Sequence, residues 1–152
     1  MKCIIGMTKE SRVRSLEYLQ RRVLFDGMDY LLNGKPFVPV MDVDAIMDCH
    51  GRAWILYECK YGDALPPLGQ KITLERMVND FGKGGRPAVA LICSHGDEEP
   101  VYLKDCIVTG TYSAGTGWRY YGENFSSKLT AKELTDRFLQ KYAPEMLFSK
   151  GG

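Results

Sequence analysis

The spacing of apolar positions changes several times along the chain, and each change marks an expected element. Val13, Leu16, Leu19 and Val23 recur at helical spacing behind Thr8, a suitable N-cap, and so predict an amphipathic helix over 9–24. From Met28 the pattern becomes strand-like. Asn33-Gly34 is a hairpin-turn signal between two such runs, and the surroundings of Gly51 mark a second turn, so three consecutive antiparallel strands are expected. Helical periodicity returns over 69–81 through Leu74, Met77, Val78 and Phe81, and Gly82, Gly84, Gly85 and Pro87 stop that helix. "PAVALICS" is apolar without alternation, which fits a strand covered on both faces. "VYLKDCIV" predicts a further strand. A capping box from Thr130 to Glu133 opens a last helix carrying Leu134, Phe138 and Tyr142, while the glycine-rich "TYSAGTGWRYYG" is expected to be an exposed loop. The order α, β, β, β, α, β, β, α describes one α/β domain with a mixed sheet flanked by helices.

The run that ends the third strand, "WILYECK", carries the chemistry. Side chains two apart on a strand share a face, so Trp54, Leu56, Glu58 and Lys60 lie on one side and Ile55, Tyr57 and Cys59 on the other. In the preceding strand Val38, Val40, Asp42, Asp44 and Ile46 share a face by the same rule. If the turn has an odd number of residues, Asp44 and Glu58 face each other, since 44 + 58 = 102 centres the turn on Gly51. Directly opposed Cα atoms are about 4.5 to 5.5 Å apart, and two carboxylates that close repel unless one is protonated or a cation lies between them. A hard divalent cation, Mg²⁺ or Mn²⁺, resolves the conflict with few protein ligands. Lys60 then has a use: an ammonium there can position or activate an attacking water and offset charge building on a phosphate. Cys59 would turn its sulfur into the core and offer its backbone carbonyl as a third metal ligand.

An acid, an interval of strand and turn, and then an E-x-K strand resemble the PD-(D/E)xK nuclease superfamily. The interval of 58 − 44 = 14 is similar to that in virus-type replication-repair nuclease and Holliday-junction resolvase-like domains. "KYGDALPPLGQ" resembles their glycine- and aspartate-containing loop followed by a glutamine that opens the next helix. The resemblance covers roughly residues 8–95 and leaves 96–152 as a C-terminal elaboration. It implies a restriction-endonuclease-like αβββαβ core and a metal-dependent nuclease acting on DNA. Asp44, Glu58 and the Cys59 carbonyl would be metal ligands, Lys60 the water-activating residue and Gln70 an auxiliary polar group. Asp42, on the face of Asp44, and Glu17 in the first helix are further auxiliary acids. Val43 stands where the superfamily name has proline. Family analogy also implies a homodimer, since cutting both strands of a duplex generally takes two sites.

Composition narrows the alternatives. Hydrophobic residues make up 45% and charged residues 26% of 152, ordinary for one globular domain of this length. The formal charge of +1 gives no global polyanion signature, so a nucleic acid would have to meet a local patch such as Lys9, Arg12, Arg14, Arg21 and Arg22. That patch also fits a solvated helix face, with Glu10 pairing Arg14 and Glu17 pairing Arg21. No apolar run reaches membrane-span length and the N-terminus lacks a secretory h-region, which predicts a cytoplasmic location without membrane partners. The five cysteines are odd in number and lie in apolar runs, as buried reduced thiols do. Cys93 with His95, and Asp48-Cys49-His50, match no closed zinc spacing. The mixture of Tyr112, Trp118, Arg119, Tyr120 and Tyr121 fits either base stacking or a hairpin packed over a core. A lone E-x-K carries little information; what raises it here is the upstream acid, the apolar strand, the strand order and the glutamine. Against the nuclease stand a catalytically inactive nucleic-acid- or partner-binding protein on the same scaffold, and an unrelated α/β interaction domain.

Overall fold

A computed structural model describes residues 30–32, 35–38, 41–123 and 127–148. The chain divides into two compact units that part between Asp42 and Val43. In the first, β1 (Tyr30–Leu32) and β2 (Lys35–Val38) form a two-stranded antiparallel sheet whose strands flank Asn33-Gly34. The expected helix over 9–24, with Glu17 and the basic patch, lies outside the described residues.

The second unit is a mixed α/β layer. β3 (Ala45–Asp48), β4 (Trp54–Tyr61), β5 (Ala88–His95), β6 (Ile107–Ser113) and β7 (Gly117–Tyr120) form one sheet in that spatial order. All neighbours are antiparallel except β4 and β5, which are parallel and joined through helix α1 (Leu68–Lys83). A parallel pair needs such a crossover, and here the helix returns along one face of the sheet. Leu74 and Val78 pack on Leu56 and Ala90, and Phe81 stacks on Trp54 with centroids 4.9 Å apart. Helix α2 (Ala131–Tyr142), followed by the short α3 (Glu145–Phe148), covers the other face. Leu134 and Phe138 pack there on Ile55, Tyr57 and Leu91, and the Tyr57 hydroxyl meets Thr135 Oγ1 at 2.7 Å. The apolar run of β5 is explained by these two covers: Ala90 to Cys93 are buried whichever way they point. Burying a side chain the size of Ile92 or Leu91 contributes about 1.5–3 kcal/mol, so the two-sided packing of β4 and β5 stabilises this unit.

Several local expectations hold for identifiable reasons. The turn after β3 spans Cys49 to Ala53, with Cys49 N donating to Ala53 O at 2.9 Å and Gly51 N to Asp48 Oδ1 at 2.6 Å. Gly51 sits at φ 73°, a left-handed value that costs glycine nothing. Thr130 caps α2 by accepting from Glu133 N at 3.1 Å. The four described cysteines, Cys49, Cys59, Cys93 and Cys106, are buried free thiols.

Three expectations are corrected. The second strand does not run from 38 to 46: β2 ends at Val38 and pairs only with β1, and β3 begins at Ala45. Asp42 therefore falls before β3, at the end of the other unit, and strand alternation no longer places it beside Asp44. The strand expected over 101–108 is displaced, because Leu103–Asp105 form a 3₁₀ turn and β6 starts at Ile107. The segment expected as an exposed loop is the β6–β7 hairpin, as the alternative of a hairpin packed over a core had it, and its glycines serve the turn and one close approach. A Cβ on Gly110 would lie 3.1 Å from both Ile92 Cδ1 and Tyr120 Cδ1.

Candidate active site on the α1 face of β4

The β3–β4 register pairs Ala45 with Tyr57, Ile46 with Leu56, Met47 with Ile55 and Asp48 with Trp54, so every pair sums to 102. Asp44 is one residue beyond the last pair, and the same register carries it to Glu58. Its carboxylate bonds to the backbone of the residue after Glu58. Asp44 Oδ2 accepts a hydrogen bond from Cys59 N at 2.7 Å, taking the place of the backbone carbonyl that a longer β3 would have offered. In an antiparallel ladder the N–H and C=O of one residue point to the same side, so the Cys59 carbonyl is directed to the side on which Asp44 lies.

Glu58 is 2% exposed, an unusual state for a carboxylate, and Lys60 Nζ lies 3.1 Å from its Oε1. Lys60 itself is 23% exposed, so the pair connects a buried acid to solvent through the ammonium. Both belong to the Leu56 side of β4, as alternation requires, and that side faces α1. Because α1 runs back along β4 with Phe81 on Trp54 and Leu74 on Leu56, its first turn reaches the Glu58–Lys60 end. Gln70 is the third residue of α1, half-buried, one turn before Leu74 on the same helix face. The helix opens after Pro67 with no side-chain cap and no acid in its first turn.

Cys59 points the other way. Its thiol joins those of Cys93, its cross-strand partner, and Cys106 in the α2-side core. The hydrogen bond with Cys106 would favour the Cys59 thiolate, but the hydrogen bond with Cys93 and burial outweigh it and push the thiol up. Cys106 is pushed up as well, first by its hydrogen bond with Cys59 and then by burial. Both remain neutral thiols, so sulfur supplies no nucleophile or soft ligand to the acid pair. A cavity of about 330 Å³ lies at the ends of β4 and β5, with Ser94, His95, Glu98, Tyr102, Asp105 and Cys106 in its lining. His95 pairs with Tyr61, whose parity is that of Cys59, and none of Asp44, Glu58, Lys60 or Gln70 lines the cavity.

Among the described residues, no group of three or more His, Cys, Asp or Glu side chains is arranged to hold a metal. Asp44, Glu58 and the Cys59 carbonyl would make a smaller, all-oxygen set, of the kind that Mg²⁺ or Mn²⁺ accept, since these ions take one or two carboxylates and complete their shells with water and phosphate. The sheet also brings together residues that strand spacing alone did not connect. Glu58 pairs with Ile92, Ile92 with Gly110 and Gly110 with Tyr120, one row on the α1 face. In the next row Tyr112 and Trp118 cover the core and bond to α1: Tyr112 OH donates to Asn79 Oδ1 at 3.1 Å, and Trp118 Nε1 donates to Glu75 Oε1 at 2.5 Å. Lys71, next to Gln70, was not singled out by its sequence; its Nζ lies 5.2 Å from the Trp118 ring centroid and 5.4 Å from that of Tyr120. No family model, curated protein or solved structure matches the chain.

Proposed function

We propose that this protein is a metal-dependent nuclease that hydrolyses DNA phosphodiester bonds at Asp44, Glu58 and Lys60, on a restriction-endonuclease-like scaffold. The observation that carries the reading is the buried Glu58 carboxylate at 3.1 Å from Lys60, at the end of an apolar strand and in register with a second acid. Nothing in core packing calls for a carboxylate at a 2% exposed position, since burying a charge costs several kcal/mol unless partners compensate it. Asp44, Glu58 and the Cys59 carbonyl would hold Mg²⁺ or Mn²⁺, and the ion would supply Lewis-acid polarisation of the phosphate. Lys60 would orient the attacking water and offset negative charge as the phosphorus becomes five-coordinate. The hydrogen bond from Cys59 N keeps the Asp44 carboxylate at the edge of β4, so the acid is positioned before substrate arrives. Gln70 would contribute an amide at the same level.

A second reading has its own support. The Lys60–Glu58 pair already balances its own charge, as a structural ion pair on a catalytically inactive nucleic-acid- or partner-binding scaffold would. A cleavage assay on linear, circular, single-stranded and branched DNA with Mg²⁺ or Mn²⁺ separates the two. Cutting that needs metal and is lost in Glu58→Ala supports the enzyme. DNA binding without cutting in any metal supports the inactive scaffold.

A further inference from the structure

Lys71 lies in the first turn of α1, half-buried over two aromatic rings. Its ordinary helical partner, Glu75 four residues on, has Oε1 engaged by the Trp118 indole. Among the described residues Lys71 makes no ion pair, in contrast to Lys60, Lys83 and Lys132. A half-buried ammonium without a carboxylate is a good position for an incoming anion. The rings beside it are nearly parallel and stacked on one another, with Trp118 and Tyr120 centroids 6.0 Å apart and planes inclined by 11°, so an incoming base would extend the stack. Gly110 makes the arrangement possible, because a Cβ there would press on the Tyr120 ring.

The cluster is in line with the acid pair. Glu58 and Tyr120 occupy one cross-strand row, on β4 and β7, and three strand spacings of about 4.8 Å separate those strands by roughly 14 Å. That distance corresponds to about four stacked nucleotides at 3.4 Å per step, and to fewer if the strand is extended. A phosphate on Lys71 and a base against the aromatic pair would thus belong to the same strand as the bond at Glu58. A base can meet such rings only if it is out of its own stack, as in a single-stranded or branched substrate.

We propose that Lys71 with the Trp118–Tyr120 ring pair is a subsite for an unpaired DNA strand flanking the bond to be cut, which gives the site a preference for single-stranded DNA over closed duplex. This rests on the nuclease reading for its register with Glu58. The test is fluorescence anisotropy of a labelled oligodeoxynucleotide, single-stranded and as duplex, in Ca²⁺ to hold it uncut. Lys71→Met and Tyr120→Leu are compared with wild type, with circular dichroism confirming that each is folded. Loss of a stacked base or phosphate contact should weaken single-strand binding about tenfold, with duplex binding changed less than about threefold. Lys71→Met should also lower the salt slope by about one counterion. Single-strand affinity within about twofold of wild type in Lys71→Met overturns the proposal, even if Tyr120→Leu fails to fold. Parallel cleavage in Mg²⁺ keeps the two readings apart. If wild type cuts while Lys71→Met binds normally, the subsite falls and the nuclease stands. If nothing is cut but Lys71→Met loses single-strand binding, the subsite stands and the nuclease falls.

Discussion

The two faces of β4 are built from alternate residues of one strand, yet they solve the problem of buried polarity in opposite ways. On the α2 side, Tyr57 and Cys59 keep their protons: Tyr57 shares a hydrogen bond with Thr135, the Cys59 thiol is pushed up by the neighbouring Cys93 thiol and by burial, and among the described residues no charged side chain is buried there. On the α1 side, Glu58 is 2% exposed and is balanced by Lys60. Neutral polar groups are what a core tolerates at low cost; a buried carboxylate beside a second acid and an ammonium is a cost that a site for phosphate chemistry would explain. On the proposed reading the α1 side is the functional face and the α2 side its support.

The largest expected effect distinguishes the partners of the ion pair. Lys60→Met leaves the buried Glu58 charge without its ammonium and should cost about 3 kcal/mol, while Glu58→Gln leaves Lys60 able to turn to water and should cost less. Adding Glu58→Gln to Lys60→Met should recover much of the loss, read by urea denaturation; strict additivity of the two would break the claim that the pair is coupled.

The opposite face should reveal itself by pH. Burial pushes the Tyr57 hydroxyl up to about 12 against the opposing effect of its Thr135 hydrogen bond, and the Cys59 and Cys106 thiols are raised too. Raised acids hold their protons in the folded chain after the unfolded chain has lost them, so stability is fully present below about pH 9 and falls as pH rises beyond the ordinary thiol and phenol values. Thermal melts between neutral pH and pH 11 should show that decline, and a flat profile would mean that these groups titrate freely. A smaller effect, about 1–2 kcal/mol, is expected for Tyr57→Phe, which leaves Thr135 Oγ1 without the tyrosine hydroxyl. Thr130→Ala at the α2 cap should cost about 1 kcal/mol and leave any DNA cleavage unaltered.

The same contrast explains what could be read from the chain. The turn around Gly51 and the sum of 102 were legible because a single glycine-centred turn fixes antiparallel register, and α1 and α2 were legible from their periodicity and Thr130. The break between Val38 and Ala45 was not, since alternating apolar and acidic residues continue through it and mimic one strand. The β6–β7 hairpin was half legible: its aromatic residues read as a hairpin packed over a core, as Tyr112 and Trp118 are, while its glycines read as loop although Gly117 serves the turn and Gly110 makes room for Tyr120. Within the site, alternation placed Glu58 and Lys60 together, but the Asp44 bond to a backbone N–H and the position of Lys71 over aromatic rings depend on tertiary packing.

Adjacent residues of β4 offer the most direct test of the central claim, because they point to opposite faces. The measurement is the Mg²⁺-dependent DNA cleavage rate of Glu58→Gln and Cys59→Ala beside wild type, each confirmed folded. Glu58→Gln should lose about a thousandfold or more, and Cys59→Ala should stay within about twofold of wild type, because only the backbone of Cys59 would serve the site. Equal cleavage by wild type and Glu58→Gln, or loss in Cys59→Ala alone, would contradict the claim.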